Sequence, residues 1–246
     1  MSTALPAPAG GTLDFGRAFT VVTEDPEWIK KILIGGLFTL ACALLVGVPF
    51  VLGYFARTTR NVAAGLERPL PEWDDLGGMF SEGLRLTAVY LLHVLGVVAV
   101  MSALGCLAML PVMALGGMRS HQDASQAASA LTGLAMVAVY GVSLLFSLAL
   151  WVYLPSALVR VAMLGGVAEG FAWRENVAFI RVNLPNYALS LVVGLVGGLL
   201  AQVGVLLCCV GVFPAAFWGY LALAHALGQT ARLNPGAIGR APGFAS

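Results

Sequence analysis

The sequence predicts an all-α, polytopic membrane protein, and three observations carry that prediction. Hydrophobic residues make up 59% of the 246 residues, while charged residues make up only 10%, against about 25% in soluble domains. Four long stretches contain no Asp, Glu, Lys or Arg: residues 32–56, 86–118, 124–159 and 182–231. Each exceeds the ~10-residue alternating strands of a membrane barrel. The membrane segments are therefore predicted to be helical.

The last uncharged stretch shows how these segments are organised. It is 50 residues long, whereas one crossing needs ~20. We therefore predict a helical hairpin over residues 186–228, with its polar break at 208–214. The sequence VGVPFVLGY at 46–54 returns as VGVFPAAFWGY at 210–220, which indicates an internal repeat. A looser version, with Pro155 followed by Arg160, ends the third stretch.

A short amphipathic run precedes each hydrophobic segment of this repeat. These runs, at residues 13–22, 75–86 and 170–182, mix Phe or Trp with charged residues. Such helices suit the surface plane of a bilayer. The sequence thus predicts three units, each a surface helix followed by a hairpin. They give four full crossings, plus a first hydrophobic segment, 32–56, that is either re-entrant or crosses once.

The distribution of Lys and Arg ranks the possible topologies. If every stretch crosses once from a cytoplasmic amino terminus, seven basic residues lie outside and six inside, against the positive-inside rule. A re-entrant first segment with a hairpin at the end places twelve inside and one outside. A single first crossing from an external amino terminus gives nine to four and stays the alternative. We expect an inner-membrane protein with a cytoplasmic carboxyl terminus.

One membrane domain is predicted over residues 13–232, and its hydrophobic segments are 32–56, 86–118, 124–159 and 186–228. Residues 1–12 lack both a basic region and an apolar core, so we expect a mobile tail there and no signal peptide. Residues 233–246 are predicted to form a flexible tail.

Three polar side chains inside the uncharged stretches form the first candidate site: His93, Gln202 and His225. Polar and ionisable groups in a membrane are costly and indicate a functional site, here a substrate or proton path. The alternative is structural, because neutral His and Gln can also hydrogen-bond a neighbouring helix. These stretches contain no Asp or Glu, which disfavours an ion-coupled transporter.

The second candidate set consists of polar residues at the ends of predicted helices. Arg57, Arg60 and Arg85 could hold anionic lipid headgroups or simply anchor their helices. The segment Glu72, Trp73, Asp74 and Asp75 could contact a partner or a cation. Its structural interpretation is that Asp74 or Asp75 caps the next helix while Trp73 lies in the interface.

The composition gives no sign of a metal site or a cofactor. The acidic cluster has no histidine beside it, and the four cysteines lie within apolar runs without a C-x-x-C spacing. We therefore expect no metal, no disulfide framework and no cofactor. The net charge of +1 gives no indication of nucleic-acid binding.

Three segments resemble one known family. They are DFGRAFTVVTEDPEWIKKILIGGLF, GYFARTTRNVAAGLERPLPEWDDLGGMFSEGLRL and GYLALAHALGQTAR. They resemble the bacterial and archaeal family called domain of unknown function 4013, over roughly residues 14–232. The most specific part is the order Gly-Tyr, Arg, Arg-Asn and Leu-Pro-Glu-Trp-Asp-Asp. The resemblance implies a polytopic membrane protein and carries over no catalytic residue.

Three functions are compatible with the sequence. We favour a non-enzymatic membrane scaffold or accessory subunit, whose partners are the lipid bilayer and a membrane protein or a second copy of the chain. The alternative is a small permease or channel that uses His93, Gln202 and His225. A lipid-modifying enzyme is the weakest, because His121 is expected on the opposite side of the membrane from Glu72, Asp74 and Asp75.

Overall fold

The computed structural model describes residues 11–115, 122–206 and 210–239, and all of their regular secondary structure is helical. The described α-helices are α1 Phe15–Glu24, α2 Trp28–Ala41, α3 Val48–Ala63, α4 Leu76–Leu115, α5 Gln122–Leu164, α6 Trp173–Val182, α7 Leu184–Val203 and α8 Val212–Leu233. The predicted all-α class is confirmed. Three segments, Leu76–Leu110, Ser129–Leu164 and Leu184–Leu206, are long and apolar enough to cross a membrane.

The membrane domain predicted over 13–232 divides into two compact units. The first contains the described residues up to Val89 and those from Leu154 onward, whereas the second is Tyr90–Tyr153. The second unit therefore contains the C-terminal part of α4 and the N-terminal part of α5, the two longest helices. The first contains all the shorter ones.

Within the first unit, α1–α3 and α6–α8 share one order of elements. Each has a short helix, a first arm, a 3-10 turn (Cys42–Leu44 or Gly204–Leu206) and a second arm. A glycine, Gly47 or Gly211, is the N-cap of the second arm. Both second arms also carry a proline in their first turn, where a missing N–H breaks no helical hydrogen bond. The repeated Val-Gly-Val sequence thus marks the start of α3 and of α8.

Helix α8 lies at the centre of the first unit. It packs antiparallel to α7, where Gly197 and Gly219 touch so closely that a Cβ on Gly197 would lie 2.7 Å from the Gly219 Cα. Farther along, the hydroxyl groups of Ser190 and Thr230 are 2.9 Å apart. Small residues at these positions allow the close approach of helices that membrane bundles favour.

The two arms of the first copy, α2 and α3, complete this packing around α8. The Thr59 hydroxyl of α3 donates to the Ala224 carbonyl of α8 at 3.4 Å. In α2, Gly35 lies against the Phe217 ring. A Cβ on Gly35 would lie only 2.1 Å from a carbon of that ring. The buried cluster formed there contains Val21, Val22, Ile32, Val51, Tyr54, Leu70, Met79, Phe217 and Leu221. Helices α1, α2, α3, α4 and α8 and the segment before α4 therefore share one core.

The three predicted surface runs fold in two different ways. The runs at 13–22 and 170–182 overlap the separate ten-residue helices α1 and α6. The run at 75–86 is not separate, because it forms the first turns of the 40-residue α4. No proline separates it from the apolar stretch that follows, so the helix continues. Helix α1 buries Ala18, Val21 and Val22 against the bundle rather than leaving them free.

The described part of the predicted carboxyl-terminal tail is folded. After α8, residues Pro235–Ala237 form a 3-10 helix. Ile238 is buried, and Asn234 Nδ2 donates to Asn183 Oδ1 at 2.7 Å. Residues 233–239 therefore belong to the first unit.

In the second unit, apolar side chains point outward along both helices. Leu107, Leu134, Val137 and Leu145 are between 59% and 70% exposed. An apolar surface of this extent is typical of a face that meets lipid or another protein.

Candidate functional site

A buried ion-pair network holds the base of the α2–α3 pair. Lys31 is only 2% exposed. Its Nζ lies 2.8 Å from Asp25 Oδ2 and 2.5 Å from Glu72 Oε1, and it also donates to the Leu70 carbonyl at 3.2 Å. A buried lysine needs such partners, because an unpaired charge would be strongly disfavoured. Glu72 is therefore a partner within the chain.

Trp73 and Tyr54 fix the same segment by other means. The Trp73 indole N–H donates to the Lys31 carbonyl at 3.2 Å. The Tyr54 hydroxyl donates to the Pro71 carbonyl at 2.9 Å, and the two rings stack with centroids 4.5 Å apart. The Pro-Glu-Trp segment is thus bound to α2 and α3, and Trp73 lies in an aromatic cluster.

A second network joins α3 to the start of α4. Arg57 contacts Asp75 Oδ2 at 2.6 Å and Glu82 Oε1 at 2.9 Å. Arg60 pairs with the other oxygen of Glu82. Asp75 also caps α4, since its Oδ1 accepts from the Gly78 backbone amide at 2.9 Å; of the two predicted caps, Asp74 and Asp75, it is the second that caps the helix. The Arg57 hydrogen bond, together with that of Gly78, holds the pKa of the Asp75 carboxyl below its usual range.

The remaining predicted headgroup contacts lie at the edge of this network. Arg60 also donates to the Ala162 carbonyl at 3.2 Å, and Arg85 donates to the Gly165 carbonyl at 3.2 Å. Asp74 is exposed. The structure therefore gives Arg57, Arg60 and Arg85 contacts within the chain, and headgroup binding by them stays a prediction.

A third network, which sequence reasoning missed, surrounds Arg160. This side chain is 4% exposed. It contacts Glu169 Oε2 at 2.7 Å and donates to the Ile238 carbonyl. Lys31 is the last charge before the first uncharged stretch and Arg160 the first after the third. A charged residue directly at the end of an uncharged stretch was the feature of the sequence that could have indicated that Lys31 and Arg160 are buried.

The structure places the three predicted intramembrane residues in different settings. His93 belongs to the second unit, where its ring lies 5.4 Å from that of Tyr153. Gln202 is exposed on α7, whereas His225 is buried on α8. His225 Nδ1 lies 3.0 Å from the Gln229 amide nitrogen. Within the first unit, His225 is hydrogen-bonded to Gln229 rather than to Gln202.

Gln229, another residue missed at the sequence level, connects His225 to α1. Its Oε1 accepts from the Asp14 amide at 2.9 Å, and its Nε2 donates to the Asp14 carbonyl at 3.2 Å. These contacts border a cavity of about 200 Å³. The cavity is lined by Thr12, Asp14, Arg17, Val21, Val62, Gly65, Leu66, Glu67, Pro69, His225, Gln229, Arg232 and Leu233. Because its lining contains both acidic and basic side chains, we call it the mixed-charge cavity.

In the described ranges, no group of three or more His, Cys, Asp or Glu side chains could hold a metal ion. His121 lies outside the described residues.

The fold and its networks define the class: an α-helical protein whose three long apolar helices support membrane insertion. Residues 36–210 match the model of the family described as "Protein of unknown function (DUF4013)". The chain belongs to this family, so the resemblance seen in the sequence is confirmed. Searches of curated proteins and of solved structures gave no match.

Proposed function

We propose that this protein is a non-enzymatic scaffold or accessory subunit of the inner membrane, with a cytoplasmic carboxyl terminus. In this proposal, α2 and α3 form a re-entrant hairpin that enters the bilayer from the cytoplasmic side. The lengths of these two helices carry the proposal. They contain 14 and 16 residues, which correspond to about 21 and 24 Å, against a hydrocarbon core of about 30 Å.

The exposed surface of the hairpin suits hydrocarbon. Leu33, Leu37, Leu44 and Val46 are each at least 60% exposed along α2 and the turn. The charged network of Lys31 lies at the opposite end, before the helix becomes apolar. An element with an apolar tip and a charged base fits insertion into one leaflet.

The turn itself also fits an environment without water, where unsatisfied backbone N–H groups are costly. The Leu45 amide donates to the Cys42 carbonyl at 2.9 Å, and the Gly47 amide donates to the Ala41 carbonyl at 3.2 Å. The Val48 amide donates to the Leu45 carbonyl at 3.4 Å. The turn therefore satisfies these amides within the chain.

The use of ionisable side chains favours a scaffold over an enzyme. Lys31, Arg57 and Arg160 each pair with carboxylates of the same chain. Lys31 also pairs with Glu72, and Arg160 also donates to the Ile238 carbonyl. These contacts join separate segments of the chain and so stabilise the arrangement of the helices. The permease alternative has less support, since Gln202 is exposed and His225 is hydrogen-bonded to Gln229.

Cysteine labelling tests the topology. The four native cysteines are replaced, and single cysteines are placed at Thr12 and Glu67, which are both exposed. Thr58 is unsuitable because it is fully buried. We expect a membrane-impermeant maleimide to label neither position in intact cells and both after permeabilisation. A cysteine at Gln122, in the predicted external loop, is the positive control.

Labelling at Thr12 from outside would show that the first segment crosses once and would overturn the re-entrant hairpin. A flux assay tests the scaffold part of the proposal. We expect proteoliposomes containing the protein to pass protons and small solutes no faster than empty vesicles. A flux that depends on His93 or His225 would instead establish the permease.

A further inference from the structure

The mixed-charge cavity has the chemistry of a binding site. We propose that it binds a zwitterionic phosphate ester of the phosphoethanolamine class, as carried by the headgroup of an abundant type of membrane lipid. The lipid as source rests on the membrane placement proposed above. The recognition chemistry itself rests only on the residues that line the cavity.

The charges of the lining match a ligand that carries both signs. Arg17 and Arg232 are the basic side chains, while Asp14 and Glu67 are the acidic ones. Their formal charges cancel, so the cavity favours neither a simple anion nor a simple cation. Arginine is suited to phosphate because its planar guanidinium can donate two parallel hydrogen bonds. The carboxylates are suited to an ammonium group.

A buried histidine supplies the second, independent feature. The His225 side chain lines the cavity and the residue is only 4% exposed. Gln229 engages its Nδ1, and in the described parts of the chain no hydrogen bond is formed by its Nε2. Nε2 is the ring nitrogen with which a ligand in the cavity would form a hydrogen bond.

The walls of the cavity are held in place by the fold. Gln229 binds both the amide and the carbonyl of Asp14, which fixes α1 against α8. Gly65 has a φ of +77°, and a Cβ there would lie 2.9 Å from the Arg232 guanidinium carbon. The glycine therefore permits the turn after α3 and leaves room for the arginine. Such preorganisation lowers the cost of binding.

The size and position of the cavity fit a headgroup. Its volume of about 200 Å³ is below the ~300–1,000 Å³ of sites for drug-sized ligands. It lies at the last turns of α8 and the start of α1, beside charged residues. The boundary between lipid and water is where a phosphate ester would be presented.

Binding to the purified full-length protein in a non-ionic detergent tests the proposal by calorimetry. The probes are dihexanoyl phosphatidylethanolamine, dihexanoyl phosphatidylglycerol, glycerophosphoethanolamine and inorganic phosphate. We expect the phosphatidylethanolamine probe to bind saturably and more tightly than phosphatidylglycerol or inorganic phosphate. Arg17→Gln and Arg232→Gln should each weaken it about tenfold or more, because each removes a charge-assisted hydrogen bond.

The matched control is Arg174→Gln on α6, the helix that corresponds to α1 in the repeat. Its binding should equal that of the unaltered protein. Glu67→Gln tests the acidic side of the cavity, and we expect it to reduce the preference for phosphatidylethanolamine over phosphatidylglycerol. Thermal unfolding of each variant separates loss of the site from loss of the fold.

Equal affinity for glycerophosphoethanolamine and the lipid probe would identify a soluble ester as the ligand, whereas tighter lipid binding identifies the headgroup. Tighter binding of inorganic phosphate, or binding that survives both arginine substitutions in folded protein, would overturn the proposal. Because the topology is measured separately at Thr12 and Glu67, failure of the site and failure of the re-entrant hairpin are distinguishable.

Discussion

The two copies of the repeat, α1–α3 and α6–α8, share an order of elements but differ in the length of their arms. The arms have 14 and 16 residues in the first copy, and 20 and 22 in the second. Six more residues lengthen a helix by about 9 Å. The segment Leu184–Leu206 is thereby long enough to cross a membrane. Arm length, rather than element order, therefore sets how deep each copy can reach.

The copies also differ in what holds their bases. The fourth residue of α2 is Lys31, which is buried between Asp25 and Glu72. The fourth residue of α7 is Tyr187, which packs edge-on against Phe179 of the preceding short helix at 6.0 Å. At this position, Lys31 binds the end of α1 by an ion pair, whereas Tyr187 binds α6 by aromatic packing.

The largest expected effect comes from removing the buried positive charge of Lys31 in the first copy. Lys31→Met leaves the buried Asp25 without its partner, so we expect a loss of about 3–5 kcal/mol in the free energy of unfolding. Thermal or denaturant unfolding in detergent measures it. Lys30→Met is the matched control, because Lys30 forms an exposed pair with Glu27 and should change stability little.

The double variant Lys31→Met with Asp25→Asn sharpens the comparison of the two bases. It removes the unpaired charge and makes the first copy resemble the apolar second one. We expect it to be more stable than Lys31→Met alone. Equal stability of the two would show that the lysine acts through packing rather than charge.

A smaller effect is expected at the glycine shared by the two repeated sequences. Gly219 touches α7, whereas Gly53 touches α4, where a Cβ would lie 2.0 Å from the Met79 carbonyl oxygen. We expect Gly219→Ala and Gly53→Ala each to cost about 1–3 kcal/mol by overpacking. Gly198→Ala is the control, since nothing lies within 4 Å of its Cβ position. Chemical denaturation would show whether either copy tolerates the methyl group.

The smallest effect concerns Arg57, whose counterpart in the second copy, counted from the shared glycine, is the apolar Leu223. The pKa of Asp75 is lowered, first by its hydrogen bond from Arg57. Its ionised form therefore stabilises the fold fully above the ordinary value of about 3.9, and this contribution is lost as the pH falls through the lowered pKa. The effect is small because Asp75 is exposed.

The melting temperature, measured from about pH 6 to about pH 2, should fall less steeply in Asp75→Asn than in the unaltered protein. Asp74→Asn, at the exposed neighbouring residue, is the control and should leave the profile unchanged. Identical profiles for all three proteins would remove Asp75 from the acid response and leave Glu82 as the partner of Arg57 in that range.

Local patterns predicted much of the fold, because they report on short-range requirements. The Val-Gly-Val sequences, which indicated an internal repeat, lie at the starts of α3 and α8. The prediction that Asp74 or Asp75 caps α4 is confirmed for Asp75, since a cap needs only its own next three residues. The prediction of a separate surface helix at 75–86 was wrong, because this run continues into the following apolar stretch as one helix, α4. The amphipathic character of a helix can change along its length without interrupting its hydrogen bonds.

The candidate site was much less predictable. His225 stood out as a polar residue in an apolar stretch, but its neighbours Asp14 and Glu67 lie more than 150 residues away in sequence. Gln229 resembles any polar residue near the end of a helix, and only the folded chain shows that it binds Asp14. Contacts between distant segments leave no local periodicity by which a sequence could reveal them.

The sequence by itself predicted a helical protein with membrane segments, because a chain with so few charged residues cannot shield long uncharged segments from water. It also indicated an internal repeat. Only the tertiary structure decided which charges are partners, that α8 is central and that α1 closes a mixed-charge cavity with it. Hydrophobicity is additive along a chain, whereas ion pairing and cavity shape depend on how distant helices meet.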